Sequence, residues 1–408
     1  MISQELNDQI TRIGPDTSAG GVLRMYWQPA ALMDEIANGF PVAVNLLGER
    51  LALVLDDAGE MVLATRRASK GEPAAHCPDS DDIVLDPAGP VYPAVKRTGV
   101  VFAYLGNGTP PEFPNFDCFR APESHVFAFK GLWECNWLQA LEIGIDPAHA
   151  SFLHRFLEDE DPADSYGKQF RDKAAHTNMP MTQLLREYPS PEILVDQTNY
   201  GLKITALRHM DNGLTHVRVT NQIFPQAICI PMSREMTITQ WHVPIDDENC
   251  YWFTIFTSFQ NPVNKDVMRE QRLKEHTLPN YAPRKNKSNE YHYDPAEQAT
   301  LTYTGMGLDI NVHDQWAVEG MGPIQDRTQE HLGRSDVAII RFRRMLRKAI
   351  RDVENAKFDA LPMRGDVEVA NIVGPLSNDA IASTGDWQNA GHASDLARRA
   401  ECPWDASV

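Results

Sequence analysis

Two histidines and an acidic residue lie close together in the segment 146–154 of this 408-residue chain. Asp146 is followed by His149 and then by His154 in an otherwise apolar stretch. Burying imidazole rings in apolar surroundings is costly unless each ring nitrogen finds a partner, and a divalent metal ion is one such partner. The segment therefore predicts either a metal site or a pair of hydrogen-bonded core histidines.

The spacing of the two histidines restricts how a helix could present them to one ion. In a straight α-helix, residues five apart point about 140° away from each other, which is poor geometry for a shared metal. One possibility is a π-bulge that aligns His149 with His154. The other is a helix that breaks at Gly144 and restarts with Asp146 as its N-cap and Pro147 at its first position. The sequence leaves both open.

A carboxylate further along the chain could complete such a site. Asp314, in the segment 311–315, would add the third ligand of the 2-His-1-carboxylate triad that holds non-heme Fe(II) on one face. The opposite face of the ion then stays open for dioxygen and substrate. Asp309 competes for the carboxylate role, and His313 is a weaker candidate for a further ligand.

Charge and composition narrow the class of protein. With 38 Lys and Arg against 56 Asp and Glu, the net charge of −18 disfavours partners with phosphate backbones or anionic lipid headgroups, so we expect neither nucleic acid nor membrane. The longest apolar runs, such as 100–105, are too short to span a bilayer. Residues 1–10 lack the pattern of a secretory signal, and six cysteines are too few for a disulfide scaffold. We therefore expect a cytoplasmic protein.

The first part of the chain has the patterns of a small β domain. Short apolar runs between residues 41 and 65, separated by Gly-containing turns, predict strands, and the run at 99–105 predicts another. Between them, residues 66–90 have the Pro, Gly and charge content of a loop. A proline-rich linker at 109–116 marks the boundary, so this domain is expected to span residues 1–115.

The remainder predicts an α+β domain over residues 116–360. Several β-rich runs between 193 and 259 indicate one antiparallel sheet. Apolar residues that recur with the 3.6-residue period over 335–356 predict a long helix near the end of the domain. The Ser, Asp and Ala content of the final stretch predicts that residues 361–408 form an irregular C-terminal tail.

Several segments together resemble one protein family, the Rieske non-heme iron oxygenases, and specifically its phthalate 4,5-dioxygenase-like branch. The resemblance runs from about residue 10 to 355 and is carried by GGVLRMYWQPAAL, PVAVNLLGERLALVLDDAGE, VVFAYLGNG, ECNWLQALEIGIDPAHASFLHR and GPIQDRTQEHLGRSDVAIIRFRR. It implies a Rieske-like β domain followed by a helix-grip (START-like) domain with an antiparallel sheet and a long C-terminal helix.

The resemblance also implies a role for each candidate residue. His149 and His154 match the iron-binding histidines of the family, and Asp314 matches its carboxylate ligand. Where the family has Gln-Asp, this chain has His313-Asp314. Asp146 matches the aspartate that links a neighbouring subunit's cluster histidine to the iron, although a plain helix N-cap fits it equally well. Asn136 matches a motif asparagine near the iron. Asp146 and Asn136 are thus the expected catalytic residues beside the metal ligands.

The sequence departs from the family in its N-terminal domain. A Rieske domain holds its [2Fe–2S] cluster with two cysteines and two histidines, in the patterns C-x-H and C-x-x-H. No cysteine of this chain begins either pattern, and His76 and Cys77 leave no second pair. We therefore expect a degenerate, truncated Rieske-like domain without cluster ligands, so that mononuclear Fe(II) is the only iron cofactor on this chain.

These observations predict an oxidoreductase: a mononuclear iron oxygenase subunit that hydroxylates or demethylates an aromatic or heteroaromatic compound with dioxygen. Its electrons would come in trans from a homologous cluster-bearing subunit in a trimeric or hexameric ring, supplied by a reductase upstream. Two alternatives stay open. One is a metal-dependent reaction at the same site that needs no external electrons; the other is a non-catalytic or regulatory subunit of such a hetero-oligomer. The sequence does not identify the substrate, because proteins of one fold differ in substrate specificity.

Overall fold

The structure is a computed structural model that describes residues 1–37, 39–69, 71–73, 75–157, 179, 181–365 and 367–408. Helices, strands and contacts are given for these residues.

The first part of the chain begins with two short helices, α1 (Gln4–Thr11) and α2 (Ser18–Arg24), and continues into an antiparallel sheet. The strands lie in the order β1-β6-β5-β4-β3-β2, and the segment 66–90 that the sequence predicted as a loop separates two of them. Their bounds are β1 (Gln28–Leu32), β2 (Val42–Leu46), β3 (Glu49–Leu55), β4 (Met61–Thr65), β5 (Val91–Arg97) and β6 (Val100–Ala103).

The second part of the chain is built on the predicted antiparallel sheet. Its main strands are β8 (Val126–Trp133), β9 (Glu192–Gln197), β10 (Gly201–His209), β11 (Leu214–Ile223), β12 (Ala227–Pro231), β13 (Met236–Pro244) and β14 (Cys250–Ser258), in the order β8-β14-β13-β12-β11-β10-β9. Short flanking elements are β7 (Asn115–Phe116), α3 (Asp117–Arg120), β15 (His276–Thr277) and β16 (Ala282–Pro283).

Helices cover this sheet and carry the candidate ligands. Their bounds are α4 (Trp137–Ile145), α5 (Ala150–Leu153), α6 (Met181–Glu187), α7 (Lys265–Glu275), α8 (Pro295–Thr300), α9 (Ile310–Glu319) and α10 (Val337–Glu354). The predicted long helix is α10, which buries Ala338, Phe342 and Leu346 along one stripe and packs against β9, β10 and α4. The α+β class, with its antiparallel sheet and long helix, is confirmed.

The prediction of an irregular tail over residues 361–408 is wrong. This stretch contains β17 (Val373–Gly374), β18 (Asn378–Ser383) and the helix α11 (Trp387–Ala400), and β18 pairs with β11 of the main sheet. The polar composition of this stretch does not predict a strand. The strand forms because it pairs with the main sheet, and such tertiary pairing overrides a weak local propensity. A buried ion pair at 2.7 Å between Arg399 and Asp117 of α3 then anchors α11.

One hydrophobic core runs through both parts of the chain. It joins Leu53 and Phe102 of the first sheet to Trp252 of the second sheet and Leu346 of α10. The boundaries at residues 115 and 360 stay predictions. No helix in the described part of the chain combines the length and apolar character needed to cross a bilayer.

Candidate metal centre

The chain between α4 and α5 turns sharply, and this turn brings the two histidines together. Helix α4 ends at Ile145, and α5 begins at Ala150 with His149 as its N-cap residue. The Asp146 carboxylate accepts hydrogen bonds from the backbone N–H groups of Ala148 (2.8 Å) and His149 (3.1 Å). The helix is therefore broken, as in the second alternative from the sequence, but the break follows Ile145 and not Gly144. Asp146 ends α4 as its C-cap, and His149 takes the N-cap position of α5 that the sequence assigned to Asp146.

The turn also orients the His149 ring. Its Nδ1–H donates to the backbone carbonyl of Asp146, which leaves the lone pair of Nε2 pointing away from the turn. A metal-binding histidine commonly donates its second ring N–H to such a partner, because this fixes both the tautomer and the ring orientation. Asp146 thus holds the first candidate ligand through its carbonyl as well as its carboxylate.

The structure brings all three predicted ligands to one point. Asp314 Oδ1, on α9, lies 3.6 Å from His149 Nε2 and 3.2 Å from His154 Nε2. One ligand atom from each of the three residues lies within 4.8 Å of the other two. Three ligands bound at about 2.1 Å to one ion lie about 3 to 4 Å apart, so these separations suit a mononuclear site.

The chemistry of the donor set fits a divalent metal ion. Asp314 Oδ1 is buried and has no hydrogen-bond partner among the described residues, although an unpaired buried carboxylate oxygen is costly. Burial raises the pKa of Asp314 to about 6, against the opposing effect of His149. Burial also lowers the pKa of His149, which favours the neutral imidazole that a metal requires. A bound cation would satisfy all three groups.

Two competing ligands from the sequence have other roles. Asp309 caps α9 through a hydrogen bond from the Asn311 backbone N–H and forms an ion pair with Arg272 at 3.1 Å. His313 Nε2 donates to the Gly307 carbonyl at 2.8 Å, and His313 is not part of the ligand group that the described residues form. Both side chains therefore stabilise the start of the helix that presents Asp314.

Asn136 lies at the opposite end of α4 from the triad. Its side-chain oxygen accepts from the Leu138 backbone N–H, which makes it the N-cap of α4. Its Nδ2 donates to the carbonyls of Thr11 (3.0 Å) and Asp247 (2.7 Å). Fully buried, Asn136 fixes where α4 begins, and the structure does not bring it to the candidate ligands.

A cavity of about 160 Å³ opens beside the triad. His149, His154 and Asp314 form part of its wall, and Asp146 lies on the same wall. Most of the remaining lining is apolar, which suits a flat hydrophobic ligand. These apolar lining residues include Leu185, Ile230, Met232, Ile238 and Phe256.

Two arginines also line this cavity, and neither was predicted from the sequence as a site residue. Arg208 on β10 is only 1% exposed, and Arg218 lies on the neighbouring strand β11. A signal was present, since Arg208 follows Leu202, Ile204 and Ala206 at every second position of a strand. A charged side chain on the same face of a strand as the buried apolar residues must point into the protein, and such a charge needs a partner or a ligand.

Comparison with known proteins shows which family the chain belongs to. A family model described as LigXa C-terminal domain like matches residues 103–400. The phthalate 4,5-dioxygenase oxygenase subunit of Pseudomonas putida is 29% identical over 394 residues, 86% of this chain and 86% of that protein. The 5,5'-dehydrodivanillate O-demethylase oxygenase subunit of a Sphingobium species is 26% identical over 425 residues, 93% of this chain and 86% of that protein.

Among solved structures, a reduced complex between oxygenase and ferredoxin in carbazole 1,9a-dioxygenase has a TM-score of 0.43 and 19% sequence identity. That match covers 84% of this chain and 93% of the other. The family model covers most of the chain. The two relatives are both named as oxygenase subunits, and each is similar to this chain over most of its length. The chain therefore belongs to the LigXa C-terminal domain-like family and, with it, to the Rieske non-heme iron oxygenases, which are oxidoreductases.

Proposed function

We propose that this chain is an oxygenase subunit that binds mononuclear Fe(II) through His149, His154 and Asp314 and oxidises an aromatic carboxylate. The observation that carries the proposal is one apolar cavity with the candidate iron ligands in its wall and the buried cation Arg208 beside them. Bound Fe(II) would supply activation of dioxygen, and the protein would supply substrate position and exclusion of water.

The surroundings of Arg208 indicate what the cavity binds. Its Nε donates to the Tyr188 carbonyl (3.1 Å), and Nη2 donates to the Pro147 carbonyl (3.3 Å) and the Ser151 hydroxyl (3.2 Å). Its Nη1 is buried and has no hydrogen-bond partner within the described ranges. The guanidinium is therefore held in place with the two N–H groups of Nη1 left over, and a carboxylate is an anion that can accept them in charge-assisted hydrogen bonds.

Arg208 stays charged in this environment. Burial, and then the neighbouring Arg218, lower the pKa of Arg208 to about 10, which still leaves it protonated near neutral pH. No carboxylate of the described chain forms an ion pair with it within 4.0 Å. Asp379 and Asp146 favour the charged form only from a greater distance, so a ligand carboxylate in direct contact would supply the ion-pair partner that Arg208 lacks. Because Pro147 and Ser151 flank His149, the carboxylate would be bound close to the candidate iron ligands.

Electrons for such a reaction would come from outside this chain. The first 115 residues contain one cysteine, Cys77, and one histidine, His76, whereas a Rieske cluster needs two of each. We therefore assign the cluster to a homologous subunit in a trimeric or hexameric ring, fed by a reductase. In support, the relatives are named as oxygenase subunits, and one of the similar solved structures pairs an oxygenase with a ferredoxin. Asp146 is the expected contact to that cluster.

Substitution of Arg208 tests the substrate class. The wild-type chain is expected to bind benzoate at least tenfold more tightly than the neutral isostere benzamide in isothermal titration calorimetry. Arg208→Gln is expected to weaken benzoate binding by about thirtyfold or more and to abolish this preference, because truncation of a buried hydrogen-bonded charge costs about 2–5 kcal/mol. Equal binding of both ligands by the wild-type chain would contradict the proposal.

A matched control lies on the same strand. Lys203 on β10 points to the opposite face of the sheet from Arg208, where it forms an ion pair with Asp196 at 3.0 Å. Lys203→Gln removes the same charge from the same strand, so it should leave the preference for benzoate unchanged. Loss of the preference in both variants would assign the effect to net charge and not to the cavity.

A further inference from the structure

The C-terminal strand places an acidic residue directly beside the cavity. In the antiparallel pairing of β18 with β11, Asp379 lies opposite Arg218. Arg218 Nη1 donates to both carboxylate oxygens of Asp379, at 2.8 and 3.1 Å, and Nη2 donates to the Pro231 carbonyl at 2.6 Å. The Arg218 guanidinium is thus held by β18 and by the end of β12, which both pair with β11.

Asp379 is itself fixed in place. Its side chain is 8% exposed, and its Oδ1 lies 3.0 Å from Nε2 of the fully buried His216, also on β11. The Arg218 side chain is 24% exposed, so the pair is partly buried, and the loss of Asp379 would leave a partly buried cation without its partner. Arg218 and His216 together hold the pKa of Asp379 below its ordinary value, against the effect of burial.

The two arginines of the cavity wall consequently differ in charge balance. Arg218 is neutralised by Asp379, whereas Arg208 has no carboxylate within ion-pair distance in the described chain. A ligand with one carboxylate can therefore pair with the Arg208 guanidinium, which has no ion-pair partner in the described chain. A ligand with a second carboxylate would have to leave that group unpaired in an apolar cavity or compete with Asp379 for Arg218.

We propose that Asp379 is a specificity-determining residue that acts through Arg218: by neutralising this arginine, it makes the cavity select aromatic monocarboxylates over adjacent dicarboxylates. The inference rests on the proposed function, because it assumes that Arg208 binds a substrate carboxylate. It gives the C-terminal segment a role in substrate choice, since β18 delivers the neutralising charge.

Benzoate and phthalate (benzene-1,2-dicarboxylate) are suitable probes, measured by calorimetry on the full-length chain. The wild-type chain is expected to bind benzoate at least tenfold more tightly than phthalate. Asp379→Asn frees Arg218 and is expected to improve phthalate binding relative to benzoate by about tenfold or more. A gain of binding cannot result from partial unfolding, so this readout separates a role in specificity from a structural one.

Two further variants make the test specific. Asp379→Glu keeps the charge and should keep the wild-type selectivity, whereas the double variant Asp379→Asn/Arg218→Gln should lose the gain in phthalate binding. A wild-type chain that prefers phthalate would overturn the inference even if the Asp379 variants fail to fold. A gain that persists in the double variant would also overturn it.

The outcomes separate this inference from the proposed function. If Arg208→Gln leaves benzoate binding unchanged, the carboxylate site itself is wrong. If benzoate binding depends on Arg208 but Asp379→Asn leaves the ratio of the two affinities unchanged, the proposed function stands and only the role of Asp379 fails.

Discussion

Replacement of Asp314 with asparagine is expected to lower iron affinity at least a hundredfold and to reduce substrate oxidation at least a thousandfold. The substitution removes the one negatively charged ligand of the set, and its Oδ1 is the atom that both histidine Nε2 atoms face, at 3.2 and 3.6 Å. An amide oxygen is a much weaker ligand, and the charge of the site then rises by one unit. Iron content by plasma mass spectrometry and product formation measure the two effects.

The fold is expected to survive this change. Asp314 Oδ1 makes no hydrogen bond within the described chain, and asparagine keeps the size of the side chain while it removes a buried negative charge. Thermal unfolding of the metal-free protein should therefore occur at the same temperature as in the metal-free wild type, or slightly higher. Asp326→Asn, an exposed substitution in the loop after α9, is the control for charge alone and should keep its iron. Full iron content in Asp314→Asn would show that the ligand set is different.

Replacement of Glu142 with alanine is expected to cost about 3–5 kcal/mol of unfolding free energy, the largest effect on stability that we predict. Glu142 lies on α4, and its carboxylate accepts from Arg327 (2.8 Å) and twice from Arg343 (2.5 and 2.9 Å). Arg327 is fully buried, so alanine leaves two buried guanidinium groups without their shared counterion. Denaturant unfolding followed by fluorescence measures the change.

The same carboxylate predicts a dependence on pH. Burial alone would raise the pKa of Glu142, but Arg327 and Arg343 hold it below its ordinary value of about 4.3. A depressed pKa contributes stability that is fully present above the ordinary value and is lost as the pH falls through the folded value. The stability difference between wild type and Glu142→Ala should therefore shrink below about pH 4.

An exposed glutamate provides the control for Glu142. Glu270 on α7 pairs with Lys274 one helical turn away, with both side chains largely exposed, so Glu270→Ala should change the unfolding free energy by less than about 0.5 kcal/mol. Loss of iron binding in Glu142→Ala would follow from the architecture, because α4 leads directly into the turn that carries His149. A Glu142→Ala protein as stable as the wild type would refute the structural role of this cluster.

The sequence predicted most of the sheet and the two histidines of the triad because both depend on strong local patterns. β-rich runs marked β10, β11, β13 and β14 but not the short strand β12, and the 3.6-residue period marked α10 to within a few residues. His149 and His154 were visible as polar residues in an apolar run. Asp314 could be joined to them only through resemblance to a family, since the contact spans 160 residues of chain and no local pattern records it.

The parts that escaped prediction are those fixed by tertiary contacts. Strand β18 has weak strand propensity and exists because β11 offers it a partner, which is why residues 361–408 were expected to be irregular. Asn136 was assigned to the site by resemblance, whereas the structure shows it capping α4. The alternation along β10 could have shown that Arg208 points inward, but its place beside the triad depends on how the sheet packs against the turn that carries His149.

The central claim is that this chain holds one mononuclear iron in the triad and no iron–sulfur cluster. Its most direct test is the ratio of iron to acid-labile sulfide in full-length protein purified without oxygen after reconstitution with Fe(II) and sulfide. We predict about one iron atom per chain and no labile sulfide, with the iron lost in Asp314→Asn. About three iron atoms with two sulfides per chain, or a chain that cannot be loaded with iron, would contradict the account.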